Sequence, residues 1–452
     1  MSGRSFLVFN VQLIRIAYYS PHQNLNLKDI PMNSSKEITE QTPPPAYFCS
    51  LTITDVKCFK DEHTIDLSDG NGKPAMWTVI LGNNNTGKTT LLRCLAELEP
   101  IQIKFSDDAK FFVPKGYRGN ILTSRKMCCV SSRIFYKTNA VEYEKIEDWS
   151  YEQNSASSWD ANIALGHLIK NIVIYGYGTS RKMGNTSLTD TENQDNAASL
   201  FDEYITLPNA EEWLLQTFFA EKLEKLNATK TLERIREVLI SGILPDVQDF
   251  RFDTTPDFKG FVEVETDYGW VKLRELGYGY QVTLAWIVDL AKKMFERYPE
   301  SENPLHEPAI VLVDEIDLHL HPEWQRKIIS FLSEQFPKTQ FIVTTHSPLI
   351  VQSAEDINLV LLKKEENHVV IEQPKVKTYR GWTVEEILSE LMGLDGKTLS
   401  DDYLKLMQQF DEALDEDNYE KAKNAYDELD KIIHSSHQRK LLRIQMSSLM
   451  PE

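Results

Sequence analysis

An α/β fold built on a parallel sheet is predicted by three features of the 452-residue sequence. A short apolar strand runs into Gly82-Asn83-Asn84-Asn85-Thr86-Gly87-Lys88-Thr89-Thr90 and on into a helix start. A continuous apolar run, Ala309 to Val313, ends in Asp314-Glu315, and a second strand read as buried, Gln340 to Thr345, ends in His346-Ser347-Pro348. Unbroken apolar runs mark strands covered on both faces. Between the last two lies an amphipathic segment, Pro322 to Phe336, with Pro at its first turn, which completes a strand-helix-strand unit.

The first run carries the most chemistry. It matches the spacing G-x-x-x-x-G-K-[ST], with the strand Trp77 to Leu81 before it and a helix from Thr89 after it. Gly82 and Gly87 let the backbone wrap a phosphate chain, and the amides from Asn83 to Thr90 and the positive helix end supply the field. Lys88 is placed to reach the β- and γ-phosphates, and Thr89 to offer its hydroxyl to Mg²⁺. Because open parallel sheets bind ligands beyond the carboxyl ends of their strands, Asp314 is expected to hold Mg²⁺ through water and Glu315 to polarise the attacking water. His346 puts a donor or acceptor beside the same pocket. Alone, an Asp-Glu pair is often only a cap and a histidine only a buried hydrogen bond; the order of the elements makes coincidence a poor account.

A second glycine-rich turn, Glu275-Leu276-Gly277-Tyr278-Gly279-Tyr280-Gln281, precedes an apolar-periodic helix, Val282 to Phe295. Glycines at a helix start form an anion site, so Gly277, Gly279 and Gln281 are expected to serve the nucleotide of another subunit, the first helix already serving one. His319 and His321 suggest a metal pair, but no third ligand is evident, and a turn leading into Pro322 accounts for them as well.

Length favours two or three packed units, and 41% hydrophobic with 26% charged residues are ordinary globular values. A net charge of −19 argues against a surface cationic throughout, as an autonomous DNA clamp would show. The basic pairs Arg125-Lys126, Arg181-Lys182 and Arg439-Lys440 are read mostly as solvated faces. Five cysteines without zinc or disulfide spacing, and no apolar stretch of membrane length, fit a cytoplasmic protein without a membrane partner.

Composition then divides the chain. Residues 1–47 read as a poorly ordered arm in which Leu7 to Ile16 can form an edge strand. Residues 48–105 form the first part of the core, with strands at Phe48 to Val56 and His63 to Leu67. Residues 106–249 form an inserted lobe with polar loops at Glu152 to Ser158 and Gly184 to Ser199, an apolar strand from Asn171 to Tyr175, and helices at Ala210 to Leu226 and Thr229 to Ile240. Residues 250–375 return to the core, ending in a strand pair, Asn358 to Leu362 and Val369 to Gln373. Residues 376–452 read as a helical interaction region, with apolar positions Tyr403, Leu406, Met407, Phe410 and Leu414, then Tyr419, Ala422, Tyr426, Leu429 and Ile433, at helical spacing.

These residues resemble the ATP-binding-cassette (ABC) type ATPases of the RecF, SMC and OLD group. Leu81 to Leu92 is similar to their Walker A, Leu276 to Gln281 to their signature motif, Ile310 to Glu315 to Walker B, Ile316 to His321 to the D-loop, and His346 to the switch histidine. A closer similarity is to the PtuA-like ATPases of Septu and retron-associated anti-phage defence systems. Tyr175-Gly176-Tyr177-Gly178-Thr179-Ser180-Arg181, Gly279 to Trp286 and Gly381 to Leu388 carry it. The resemblance implies an α/β, ABC-type P-loop ATPase core with an inserted helical/β lobe and a C-terminal α-helical region. It implies ATP and Mg²⁺ as cofactors and Glu315 and His346 as catalytic groups. It also implies a dimer-based homo-oligomer with composite ATP sites, a separate HNH-type nuclease subunit, and DNA reached through the complex.

One departure stands out: Gly277 replaces the serine that usually opens the signature motif, so ATP binding is expected to be firmer than rapid hydrolysis. No glutamine fits the Q-loop role by spacing. From Thr90 to Glu275 fewer than two hundred residues lack sustained heptads, which excludes long coiled-coil arms. Neither a Toprim-type acidic cluster nor a His-Asn-His arrangement is visible, so the chain is expected to cut nothing by itself. The rival reading is a stand-alone RecF-like DNA-repair ATPase; a transporter cassette fits poorly because of the length.

Overall fold

The computed structural model describes residues 15–17, 46–106, 109–115, 128–136, 146–155, 158–161, 172–184, 195–244, 246–394 and 400–449. The chain divides into two compact units, Met1–Gly381 and Trp382–Glu452.

The first unit is organised by a sheet whose strands lie in the order Ile174–Tyr177, Ala309–Val313, Thr339–Thr345, Trp77–Gly82, Asn358–Glu365, His368–Glu372. The first five run parallel and the last returns antiparallel. Every residue of Ala309–Val313 and Thr339–Thr345 is buried, as expected for strands covered on both faces. Register decides what this sheet presents: Tyr177 pairs with Val313, Val313 with Val343, and Thr345 with Leu81. The segments that begin at Gly82, Asp314, His346 and Gly178 therefore leave the sheet along one edge.

A second, antiparallel sheet lies beside it. Among the described residues it runs Arg15–Ala17, Ser158–Ala161, Ile146–Ser155, Cys128–Tyr136, Ser50–Thr54, Glu62–Asp66, with Ala46–Phe48 also paired to Cys128–Tyr136. The single strand expected from Phe48 is thus two, broken at Cys49. Of the expected edge strand Leu7 to Ile16, only Arg15 and Ile16 are described, and both lie in the terminal strand. The polar segment read as a loop from Glu152 is strand as far as Ser155; its ladder partners, not its polarity, decide its state. Gln340 ties the two sheets: fully buried, it donates to the carbonyls of Phe48 and Ala75 and accepts from the Phe48 amide. A buried amide with all its partners costs little and fixes one alignment.

Two helices depart from expectation. The helix expected at Val282 begins at Tyr278 and runs to Arg297, because the Gly277 carbonyl accepts from Tyr280 and Gln281 and so draws the glycine-rich turn into the first helical turn. The helix expected from Pro322 to Phe336 is two, Pro322–Gln325 and Ile328–Gln335. The Lys327 amide bonds Trp324 three residues back at 2.9 Å, a 3₁₀-type closure that interrupts the α ladder beside the buried Trp324 ring.

The second unit is helical. Thr383 and Glu386 form a capping box, and Asp401–Asp415, Tyr419–Ile432 and Ser436–Ser447 pack around Phe410, Ala422, Tyr426, Leu429 and Leu442. Arg439 donates to the carbonyls of Asp430 and Ile433 and so closes the end of the middle helix rather than forming a solvated patch. Among the described residues, no helix is long and apolar enough to cross a membrane.

Candidate functional site

The phosphate loop is a strained, exposed turn on a buried base. Asn83, Asn84 and Asn85 are exposed, Asn85 at φ 63°, while Thr86 is buried and its hydroxyl donates to the Asn83 carbonyl at 2.8 Å. Gly87 sits at φ 90°, and a Cβ there would lie 2.7 Å from both Cys58 Sγ and the Phe59 ring. No other residue meets both demands. Lys88, Thr89 and Thr90 then open the helix Lys88–Ala96.

Lys88 folds back over this turn. Its Nζ donates to the carbonyls of Gly82 at 2.9 Å and Asn83 at 3.0 Å, and to His346 Nε2 at 2.7 Å. An ammonium only donates, so Nε2 accepts and the imidazole is neutral with its proton on Nδ1. Burial, and then the Lys88 charge, hold His346 below its ordinary pKa; burial likewise lowers Lys88, against the pull of Glu315, Asp314 and Asp317.

The carboxylates are held from the neighbouring strand. Asp314 accepts from Thr89 Oγ1 at 2.7 Å through one oxygen and from Thr344 Oγ1 at 2.6 Å through the other. The Thr344 hydroxyl also accepts the Glu315 amide at 2.7 Å. Glu315 stands at φ 48°, and its carboxylate lies 3.9 Å from His346 Nε2. Asp317 accepts from Thr345 Oγ1 at 2.6 Å. Ser347 donates to Gln325 Oε1 at 2.6 Å, and Gln325 Nε2 reaches the Leu320 carbonyl at 3.0 Å, tying the segment after Asp314 to the segment after Thr345. The Thr89 hydroxyl and the Asp314 carboxylate, side by side, make an oxygen donor pair of the kind Mg²⁺ takes.

Sequence reasoning missed Arg181. Read there as half of a solvated basic pair, it is 1% exposed and donates from Nη2 to the Glu315 carbonyl at 2.7 Å. Burial lowers its pKa to about 10, against Asp314, Asp317 and Glu315. The glycines just upstream were the available signal: a Cβ on Gly178 would collide with the Ser199 carbonyl, so the run lets two backbone segments pass closely. The pair Arg125-Lys126 lies outside the described residues.

The glycine-rich turn is not brought to the phosphate loop. Its described contacts are to the His319 loop and nearby: the Tyr278 ring stands edge-on to His319 at 5.0 Å, Tyr280 packs near Trp324 and bonds Asp246, and Gln281 Nε2 donates to the carbonyls of Arg274 and Leu276. Gly277 caps the helix without a side-chain bond, and the amides of Tyr278 and Gly279 lie in the first turn, where no intrahelical acceptor exists. His321 Nδ1 accepts the Glu323 amide at 3.4 Å and His319 meets the Tyr278 ring, and among the described residues no cluster of three or more His, Cys, Asp or Glu side chains is placed to hold a metal.

The fold and the arrangement of these residues are those of a P-loop ATPase. Residues 185–352 match the family described as "AAA domain, putative AbiEii toxin, Type IV TA system". The chain is 30% identical over 390 residues to the Septu protein PtuA of Bacillus thuringiensis, covering 82% of this chain and 91% of that one. The chain belongs to the Septu PtuA family. It is also 36% identical over 194 residues to the "Retron Ec83 probable ATPase" of Escherichia coli, covering 41% of this chain and 34% of that protein. Among solved structures, the SMC head domain from Thermotoga maritima aligns with a TM-score of 0.40 at 15% identity, covering 73% of this chain and 99% of that one.

Proposed function

We propose that this chain binds Mg-ATP at Lys88, Thr89 and Asp314, hydrolyses it slowly, and by its nucleotide state regulates an HNH-type nuclease subunit in cytoplasmic anti-phage defence. The observation that carries the nucleotide reading is the hydrogen-bonded chain Thr89–Asp314–Thr344 beside a buried Lys88. Phosphate oxygens would replace the loop carbonyls as acceptors for Lys88, and the amides from Asn83 to Thr90 would take the remaining charge. Thr89 and Asp314 would hold Mg²⁺, whose charge would neutralise the phosphates. Glu315 would polarise water, and the neutral His346 would offer Nε2 to the same region once Lys88 turns to phosphate. Among the described residues, Gly277, Gly279 and Gln281 show no contact with their own loop, which leaves them free in this reading to serve a composite site closed by a second copy.

Membership of the Septu PtuA family supports the defence role, and the nuclease partner is an extension of it. Purification of the tagged chain from its native host tests that extension. A stoichiometric HNH subunit is expected. A lone chain that binds DNA tightly only with ATP would overturn the partnership in favour of a RecF-like repair ATPase.

A further inference from the structure

A buried guanidinium is costly unless its charge is answered. Among the described residues, Arg181 makes one hydrogen bond through Nη2, to the Glu315 carbonyl, and its Nε has no partner. The negative charges of Asp314, Asp317 and Glu315 favour its charged form. The chain is built to deliver the guanidinium there. The strand Ile174–Tyr177 is anchored at its end, where the Tyr177 carbonyl accepts the Asp314 amide at 2.8 Å and the Tyr177 hydroxyl donates at 2.9 Å to buried Asp289 on the helix Tyr278–Arg297. Gly178 then passes against the Ser199 backbone, and Arg181 itself adopts φ 36°.

Glu315 is also in a left-handed conformation, at φ 48°, which is unfavourable for a residue with a side chain. Such a conformation persists only when its surroundings over-determine it. Three groups do so: Thr344 Oγ1 takes the Glu315 amide, and Arg181 Nη2 and the Leu318 amide, the latter at 3.0 Å, both donate to the Glu315 carbonyl. The backbone on both sides is thereby held, and with it the direction in which the side chain leaves toward His346, 3.9 Å from its carboxylate.

We infer that Arg181 is a positioning residue for Glu315: it clamps the Glu315 carbonyl and so aims the carboxylate at the attacking water, without touching the nucleotide. The inference rests on the ATP-hydrolysis reading above. It makes Arg181 act through one side chain only, and that is what a double-mutant cycle measures.

The test compares Arg181→Gln and Arg181→Lys, each in the wild-type and the Glu315→Gln background, by equilibrium binding of a fluorescent ATP analogue and by single-turnover hydrolysis of γ-labelled ATP. Arg181→Gln is expected to leave nucleotide affinity within about threefold and to slow hydrolysis at least tenfold in the wild-type background. In the Glu315→Gln background it is expected to slow it less than about twofold, because the group it aims is gone. Arg181→Lys, which keeps the charge and one donor, is expected to recover part of the rate; it carries the same cycle if the Gln variant does not fold. Equal losses in both backgrounds, or an affinity loss that matches the rate loss, would overturn the positioning role. Lys88→Ala run alongside separates the two levels: undiminished affinity there overturns the nucleotide site itself, whereas lost affinity there with equal Arg181 losses overturns the positioning role alone.

Discussion

Thr344→Val removes one hydroxyl and changes almost nothing else in shape. That hydroxyl is fully buried, donates to Asp314 at 2.6 Å and accepts the Glu315 amide at 2.7 Å. Losing a hydrogen bond to a charged carboxylate costs about 1.5–3 kcal/mol, and leaving a buried amide without an acceptor costs about 1–3 kcal/mol more. The Thr89 bond to the other Asp314 oxygen survives, which limits the total to roughly 3–5 kcal/mol. Urea denaturation followed by circular dichroism should show that loss, and Mg-ATP turnover should fall at least tenfold as Asp314 and Glu315 lose their shared support. Thr344→Ser keeps the hydroxyl and gives up a methyl, so it should stay within about 1 kcal/mol of wild type. A Val variant less than about 1 kcal/mol destabilised, with turnover intact, would refute the claim that this hydroxyl organises the carboxylates.

Gly277→Ser introduces a Cβ whose nearest neighbour, Tyr280 Cδ2, lies at an ordinary 3.7 Å, and gives the helix Tyr278–Arg297 a capping hydroxyl. A stability gain of a few tenths of a kcal/mol, roughly, is expected, with tighter ATP-dependent self-association by analytical ultracentrifugation; unchanged association would make the departure from serine neutral. Glu97, 2% exposed, has its pKa raised by burial from the ordinary 4.5 to about 7. Between those values the unfolded chain loses the proton that the folded chain keeps, so the contribution of Glu97 to stability is full below 4.5 and is lost as pH rises through about 7. Glu97→Gln should therefore stabilise the protein by about 1–3 kcal/mol at pH 8 and by much less at pH 5, measured as the shift in denaturant midpoint. An equal shift at both pH values would contradict the assignment.

What could be read from the sequence was what neighbours along the chain determine. The loop from Gly82 to Thr90, the strand ending at Asp314 and the strand ending at His346 each declare themselves by a local pattern, and a parallel sheet brings their ends together whatever else the chain does. Arg181 could not be placed that way, because the atom it serves is 134 residues away: the glycines upstream mark a close backbone approach, but not the partner that the arginine meets. Thr344 was hidden similarly: in an apolar run it looks like a β-branched strand former, and its hydroxyl acquires a role only from the register against Ala309–Val313. Polarity misled at Glu152, where an antiparallel ladder recruits charged residues, and period alone could not show the 3₁₀ closure that divides Pro322 to Phe336.

The nucleotide site is the claim on which the rest depends, and it is tested most directly by titrating wild type and Lys88→Ala with Mg-ATP in a calorimeter. Wild type should bind, and the variant should bind about a hundredfold more weakly or not at all, since charge-assisted bonds to phosphate are worth about 1.5–3 kcal/mol each. Equal affinity in the two proteins would contradict the account at its base.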